Sequence, residues 1–352
     1  MFEDTIAAIA TPLGEGGIAI IRISGENALS VGNRVFQSIS GNTNHLENAK
    51  SHTIHYGYIS LNNQRLDEVM VSVMRAPATF TREDIIEINC HGGMQATKTV
   101  LDAVLKSGAR LAIPGEFTKR AFLHGRIDLT QAEAVADIIN ARTNLALSAA
   151  NEQLAGKLSE RINQLRDDTM NVLAHVAAHI DLPDEDIEPD TMDGLIKRLK
   201  KTKSFIDQLL STANDGKLIR RGIRIAIIGK PNAGKSSLLN QLLGHDRAIV
   251  SNIAGTTRDT ISEEAQIRDI LVVFIDTAGL QETDDKVEQE GVKRSHDSIK
   301  QADLILYVLD SSKPLTPDSK LSLKDLANRK HILVLNKNDL PEALDPKSIE
   351  EF

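Results

Sequence analysis

The feature that most limits what this chain can fold into lies near its two-thirds point. There an apolar run at residues 223–228 (IRIAII) leads straight into Gly229-Lys230-Pro231-Asn232-Ala233-Gly234-Lys235-Ser236. A G-x-x-x-x-G-K-[ST] sequence between a strand and a helix reads as a phosphate loop. Its turn and the helix N-terminus behind it aim backbone N–H groups at a polyphosphate, Lys235 adds a point charge, and Ser236 offers a magnesium ligand. The segments after it (LVVFIDTAG, LILYVLD, HILVLNK) are nearly continuous in apolar character and alternate with helical stretches. That texture predicts a parallel sheet covered on both faces.

Three further elements follow in order. Asp276-Thr277-Ala278-Gly279 closes one apolar strand, where a carboxylate can hold magnesium through water and a glycine N–H can meet a γ-phosphate. Asn336-Lys337-Asn338-Asp339 closes another, and a carboxylate there can accept two hydrogen bonds from guanine that adenine does not offer. Gly255-Thr256-Thr257-Arg258-Asp259 lies between the phosphate loop and Asp276, where a threonine hydroxyl can complete a magnesium shell. Together they predict guanine nucleotide binding, with Mg2+ and GTP as cofactors. Leu280 stands where Ras-like proteins carry the glutamine that orients water, so another group must orient it and another positive charge must replace an arginine finger.

The rest of the chain has two other textures. From Thr5 to about Arg126, short Ile- and Val-rich segments alternate with turn residues, which predicts an α+β region with one amphipathic helix near residues 96–106. From Leu129 the spacing becomes helical, with Leu154, Leu158, Ile162, Leu165, Val172, Val176 and Ile180 predicted on one face of one long helix. A second helix is predicted from Leu195 to Asp215-Gly216. The expected fold is therefore α/β and α+β multidomain: residues 1–128, a helical domain at 129–216, and a P-loop domain at 217–352. A formal charge of -8 means that an RNA partner must be held by a local basic patch or by another subunit. The lone Cys90, the absence of any apolar run near the ~20 residues of a bilayer span, and an acid-bearing N-terminus predict a cytoplasmic protein without membrane association.

Blocks outside the phosphate loop carry a resemblance: DTIAAIATPLGEGGIAIIRISG, FTREDIIEINCHGG, PGEFTKRAFLHGRIDLTQAEAVADII and IDLPDEDI, joined to GKPNAGKSSLLN, IAGTTRD and DTAGL. With them the chain resembles the MnmE (TrmE) family of bacterial tRNA-modifying GTPases along its whole length. The resemblance implies an N-terminal domain that dimerises and binds 5-formyltetrahydrofolate, a helical domain, and a G domain activated by potassium and by pairing of two G domains. It also implies an FAD-dependent partner subunit (MnmG) in a heterotetramer, and aminomethyl or carboxymethylaminomethyl modification of the wobble uridine of certain tRNAs. By the same resemblance, nucleotide contacts fall on Asn232, Ala233, Gly234, Lys235, Ser236 and Ser237, on Ser251, Asn252, Ile253, Ala254, Gly255, Thr256 and Thr257, on Asp276, Thr277, Ala278 and Gly279, and on Asn336, Lys337 and Asp339. Asn232, Ser251, Ile253 and Thr256 match potassium ligands, Ser236 and Thr257 magnesium ligands, and Glu288 the glutamate that orients water. Arg22, Glu87 and Arg126 match positions that contact the folate.

The residues by themselves leave alternatives. Asn232 can be a turn residue, Glu288 one member of a solvated acidic loop, and Arg22 and Glu87 the solvent faces of alternating strands, the reading that periodicity alone favours. Cys90-His91 reads better as a buried thiol beside a turn than as a metal or nucleophile pair. Only thirteen residues follow Asp339, too few for a last guanine-backing loop, strand and helix or for the family's C-terminal helices. Rival classes are a ribosome-assembly switch without one-carbon chemistry and an interaction scaffold with structural nucleotide.

Overall fold

The computed structural model describes residues 4–39, 45–181, 192–245, 262–275, 299–345 and 348–349. The chain divides into two compact units, residues 1–135 and 136–352.

Strand alternation builds the first unit. β1 (Ile6–Ile9), β2 (Ile18–Ser24), β3 (Phe36–Ser38), β4 (Thr53–Leu61), β5 (Gln64–Met74), β6 (Ile85–His91) and β7 (Arg110–Leu111) form one sheet in the order β3-β4-β5-β6-β2-β1-β7. On β2, Ala19, Ile21 and Ile23 are buried, and on β6, Ile86, Ile88 and Cys90 are. These side chains share a core with Val100 and Val104 of α2 (Met94–Lys106) and with Val31 and Val35 of α1 (Ala28–Val35). The residues between them, Ile20 and Arg22 on β2 and Glu87 and Asn89 on β6, take the opposite face, as a period of two requires. α3 (Glu116–Leu123) contributes Arg120, fully buried among Glu116 at 3.1 Å, Glu83 at 3.0 Å and Asp4 at 2.8 Å. α1, α3, β3 and β4 have no counterpart among the expected elements. The predicted helix near 96–106 is α2.

In the second unit β8 (Ile223–Gly229), β9 (Glu263–Ile267), β10 (Ile270–Ile275), β11 (Leu304–Asp310) and β12 (His331–Asn336) order as β12-β11-β8-β10-β9, all parallel except the edge strand β9. Two clusters divide the strand residues. Ile225, Ile227 and Val308 pack with Leu239 of α8 (Lys235–His245), while Tyr307 and Leu309 pack with Leu323 and Leu326 of α9 (Pro317–Leu326). Adjacent residues of one strand thus enter opposite cores, which is why these strands lack polar alternation.

The helices differ from expectation in two places. Beyond α4 (Leu129–Asn140), Leu154 does not share a helix with Leu158, because α5 (Asn144–Leu154) and α6 (Lys157–Asp181) are separated by Gly156, whose φ of +88° is left-handed. The predicted stripe is also not a buried seam: Val172 is buried, but Ile162, Val176 and Ile180 are exposed, Ile180 by 72%. The following helix, α7 (Met192–Arg221), passes through Asp215-Gly216 and stops at Gly222. Gly222 has φ +81°, and its N–H bonds Leu218 O at 2.9 Å, a left-handed helix end. A glycine inside a helix costs only about 1 kcal/mol, which a helix of this length absorbs. At the β9–β10 turn, Asp269 accepts hydrogen bonds from Asn144 N (2.9 Å) and Leu145 N (2.8 Å), so a carboxylate caps the N-terminus of α5.

Candidate functional site

Two glycines make the phosphate loop possible. Gly229 ends β8 opposite Val308 of β11, and a Cβ there would lie 2.4 Å from Val308 O. Gly234, at φ +95°, admits the amide of Asn336, since a Cβ would fall 1.9 Å from Asn336 Nδ2. That amide donates to Ala233 O at 2.9 Å, so the end of β12 is pinned directly to the loop. Asn232 has φ +60° and an exposed side chain at the loop apex, a conformation that asparagine tolerates better than most residues. Ser236 is half-buried and Ser237 exposed in the first turn of α8. Lys235 donates to Lys230 O at 2.9 Å, and burial pushes its ammonium below the ordinary lysine pKa. A phosphate brought to the loop would reverse that shift by supplying the opposite charge. Lys230 in turn donates to Thr316 Oγ1, the N-cap of α9.

The loop after β12 is equally fixed. Lys337 has φ +65°, its Nζ lies 2.8 Å from Asp310 Oδ2, and Leu340 N donates to Lys337 O at 3.0 Å. Asp339, two residues beyond Lys337, is exposed. Hydrogen bonds from Lys337 and Ser312 hold the Asp310 carboxyl down at about 2. Sequence reading passed over Asp310, although its signal is the same as for the elements it found: an apolar strand that ends in an acid. Ser251, Asn252, Ile253, Ala254, Gly255, Thr256, Thr257, Asp276, Thr277, Ala278, Gly279 and Glu288 lie outside the described residues.

In the first unit the sheet brings two of the three candidate folate residues together. Arg22 and Glu87 are register partners on β2 and β6, and Arg22 Nε donates to Glu87 Oε1 at 2.7 Å. The guanidinium lies 5.8 Å from the Phe117 ring, and Ser72 is the β5 partner of Glu87. The side chains are 33% and 22% exposed, neither core nor open solvent. Arg126 instead stacks on Phe80 at 4.9 Å, and no ion pair among the described residues joins it to that couple. Cys90 is buried, with Sγ 3.4 Å from Ala19 O and its thiol pushed up to about 11 chiefly by burial. His91 pairs with Asp67 at 2.6 Å, which raises its pKa. Among the described residues no three His, Cys, Asp or Glu side chains cluster as a metal site, and no helix is long and apolar enough to cross a membrane.

Residues 5–126 match the family model described as GTP-binding protein TrmE N-terminus, and residues 129–345 match the MnmE helical domain. The tRNA modification GTPase MnmE of Ligilactobacillus salivarius is 52% identical over 352 residues, covering 99% of this chain and 75% of that protein. The same-named protein of Lactococcus lactis subsp. cremoris is 53% identical over 348 residues, 98% of this chain and 75% of that one. That of Enterococcus faecalis is 51% identical over 352 residues, with 99% and 75% covered. Identity at this level over nearly the whole chain, with both family models matched, places the chain in the MnmE (TrmE) family of tRNA modification GTPases.

Proposed function

We propose that this chain is a GTP hydrolase that acts in tRNA modification. The observation that carries the reading is the 2.9 Å bond from Asn336 Nδ2 to Ala233 O, which sets a base-reading loop at a fixed reach from a phosphate loop. Lys235 and the N-terminus of α8 hold the phosphates, Asn336, Lys337 and Asp339 read guanine, and Ser236 with Thr257 holds Mg2+, whose charge offsets that of the phosphates. A half-buried hydroxyl at the first turn of α8 fits that role.

Further assignments rest on the family and on residue chemistry. Potassium sits at Asn232, Ser251, Ile253 and Thr256. The exposed amide of Asn232 at the loop apex is a hard oxygen ligand suited to an alkali cation, which stands in for an arginine finger. Glu288 orients water in place of the glutamine that Leu280 replaces. In the first unit a 5-formyltetrahydrofolate uses Arg22, Glu87 and Arg126. The half-exposed Arg22–Glu87 couple offers an acceptor for the pteridine amino and N–H groups and a cation for the anionic tail, and supplies a fitting donor set. The chain works as a homodimer with an FAD-dependent subunit on the wobble uridine of tRNA, in the cytoplasm.

Multiple-turnover GTP hydrolysis in potassium and in sodium tests the reading. Potassium should accelerate the wild-type chain about tenfold or more and leave Asn232→Ala unaffected. Equal rates in all four cases reject the cation, and no hydrolysis in any rejects the enzyme.

A further inference from the structure

The end of β11 is tied to the loop after β12 by more than sheet pairing. Asp310 and Asn336 are register partners, and just beyond them Ser311 N donates to Asn336 O at 2.9 Å while Ser311 Oγ lies 2.7 Å from the same carbonyl. The Asp310 carboxylate is fixed in rotation, because Oδ1 accepts from Ser312 N at 3.1 Å and from Ser312 Oγ at 2.6 Å. Oδ2 then faces Lys337 Nζ at 2.8 Å, with Lys313 Nζ farther off at 3.8 Å. At its other end Lys337 is held by its backbone, left-handed at φ +65° between the amide that grips the phosphate loop and the exposed carboxylate of Asp339. The side chain is therefore clamped at both ends. An unclamped lysine samples many rotamers and loses that freedom when a ligand packs on its stem. A stem already fixed loses less.

We propose that Asp310 is a positioning residue for base recognition, acting through Lys337 so that the lysine stem stands ready as one wall of the guanine site. This rests on the reading of residues 336–339 as the guanine loop. Asp310→Asn keeps the shape and an acceptor for Ser312 but removes the charge that holds Lys337. Lys337→Met keeps most of the stem and removes the anchored ammonium.

The test is titration of a fluorescent methylanthraniloyl-GDP with magnesium into the full chain, its Asp310→Asn, Lys337→Ala and Lys337→Met variants, and the Asp310→Asn/Lys337→Ala pair. Each single change should weaken binding about tenfold, and the pair should be within about twofold of Lys337→Ala alone, since both remove one interaction. Wild-type affinity in Asp310→Asn or in Lys337→Met overturns the proposal. So does a tenfold loss from Asp310→Asn that persists in the Lys337→Ala background, because Asp310 would then act through the strand end and not through the lysine. A wild-type chain that does not bind the probe removes the guanine reading itself, a failure distinct from tight binding that the variants leave unchanged.

Discussion

Between Gly229 and Ser236 consecutive residues carry the phosphate chemistry, and their backbone does the shaping. Arg22 and Glu87 lie 65 positions apart and meet only because β2 and β6 pair in register. The first arrangement is local and tolerates little change in the chain itself: a Cβ at Gly234 would fall 1.9 Å from Asn336 Nδ2. The second depends on β2 and β6 lying side by side in the sheet, in a unit that a charge network of Arg120, Glu83, Glu116 and Asp4 also ties from residue 4 to residue 120. A contiguous motif can be recognised before the fold is known. A pair made by register becomes visible only after it.

That contrast breaks most sharply at Arg120. Replacing it with alanine strips a cation from buried Glu116 and from partly buried Glu83, and removing one partner of a buried ion pair costs about 3–5 kcal/mol. Urea denaturation should show the first unit weakened by that amount, while fluorescent GDP still binds the second. Loss of nucleotide binding in Arg120→Ala would mean that the two regions are not independent in the way their assembly suggests. Next in size is Asp339→Asn, which loses a charge-assisted pair to guanine worth about 2–4 kcal/mol and should turn preference toward xanthosine nucleotides. Competition binding measures it, and unchanged GTP affinity removes Asp339 from base recognition. Smaller again is Glu87→Ala, expected to weaken 5-formyltetrahydrofolate by about 1–3 kcal/mol in calorimetry. Equal affinity would remove Glu87 from folate recognition and leave its pairing with Arg22 a structural one.

The same contrast explains what could be read from the sequence. The phosphate loop, its flanking strand and helix, and the doubly covered sheet were all legible, because Gly229, Gly234 and Lys235 are adjacent in the chain and the strands are apolar on both faces. The break at Gly156 was not, since the spacing of four from Leu154 to Leu158 survives it and a periodic pattern does not register a single left-handed residue. Asp215-Gly216 misled for the opposite reason. Turn chemistry is a preference, and the helix runs on until Gly222, where a Cβ would come within 2.9 Å of Leu271 Cγ and only glycine fits the left-handed turn. β4 was missed because histidine, tyrosine and glycine interrupt its apolar pattern, with Gly57 accommodating Gln37 O, 2.4 Å from where a Cβ would stand. On β2 and β6, alternation placed Arg22 and Glu87 off the core correctly but said nothing of their being paired, which is a property of register. Asp310 carries the readable signal of an acid that ends an apolar strand, but its pairing with Lys337, 27 residues away just past the end of β12, is a property of the fold.

Acid should separate the two regions by the smallest margin. Glu116 in the first unit and Asp310 in the second are both held at about 2, Glu116 chiefly by its hydrogen bond from Arg110 and Asp310 by that from Lys337. A carboxyl whose folded pKa is depressed gives stability that is complete above its unfolded pKa and is lost as pH falls toward the folded one. For Glu116 the loss begins below its ordinary value of 4.5, and for Asp310 below 3.8. The sheet beside Glu116 should therefore begin to weaken at a slightly higher pH than the sheet beside Asp310. Hydrogen exchange read by mass spectrometry on peptides from each sheet, between pH 6 and pH 3.5, resolves the order after correction for the intrinsic exchange rate. Glu116→Gln should flatten the dependence in β1 and β7 peptides and leave those of β11 and β12 as they were. If the sheets of both units loosen together, and Glu116→Gln changes neither, the acid response belongs to the chain's overall charge and not to the network around Arg120.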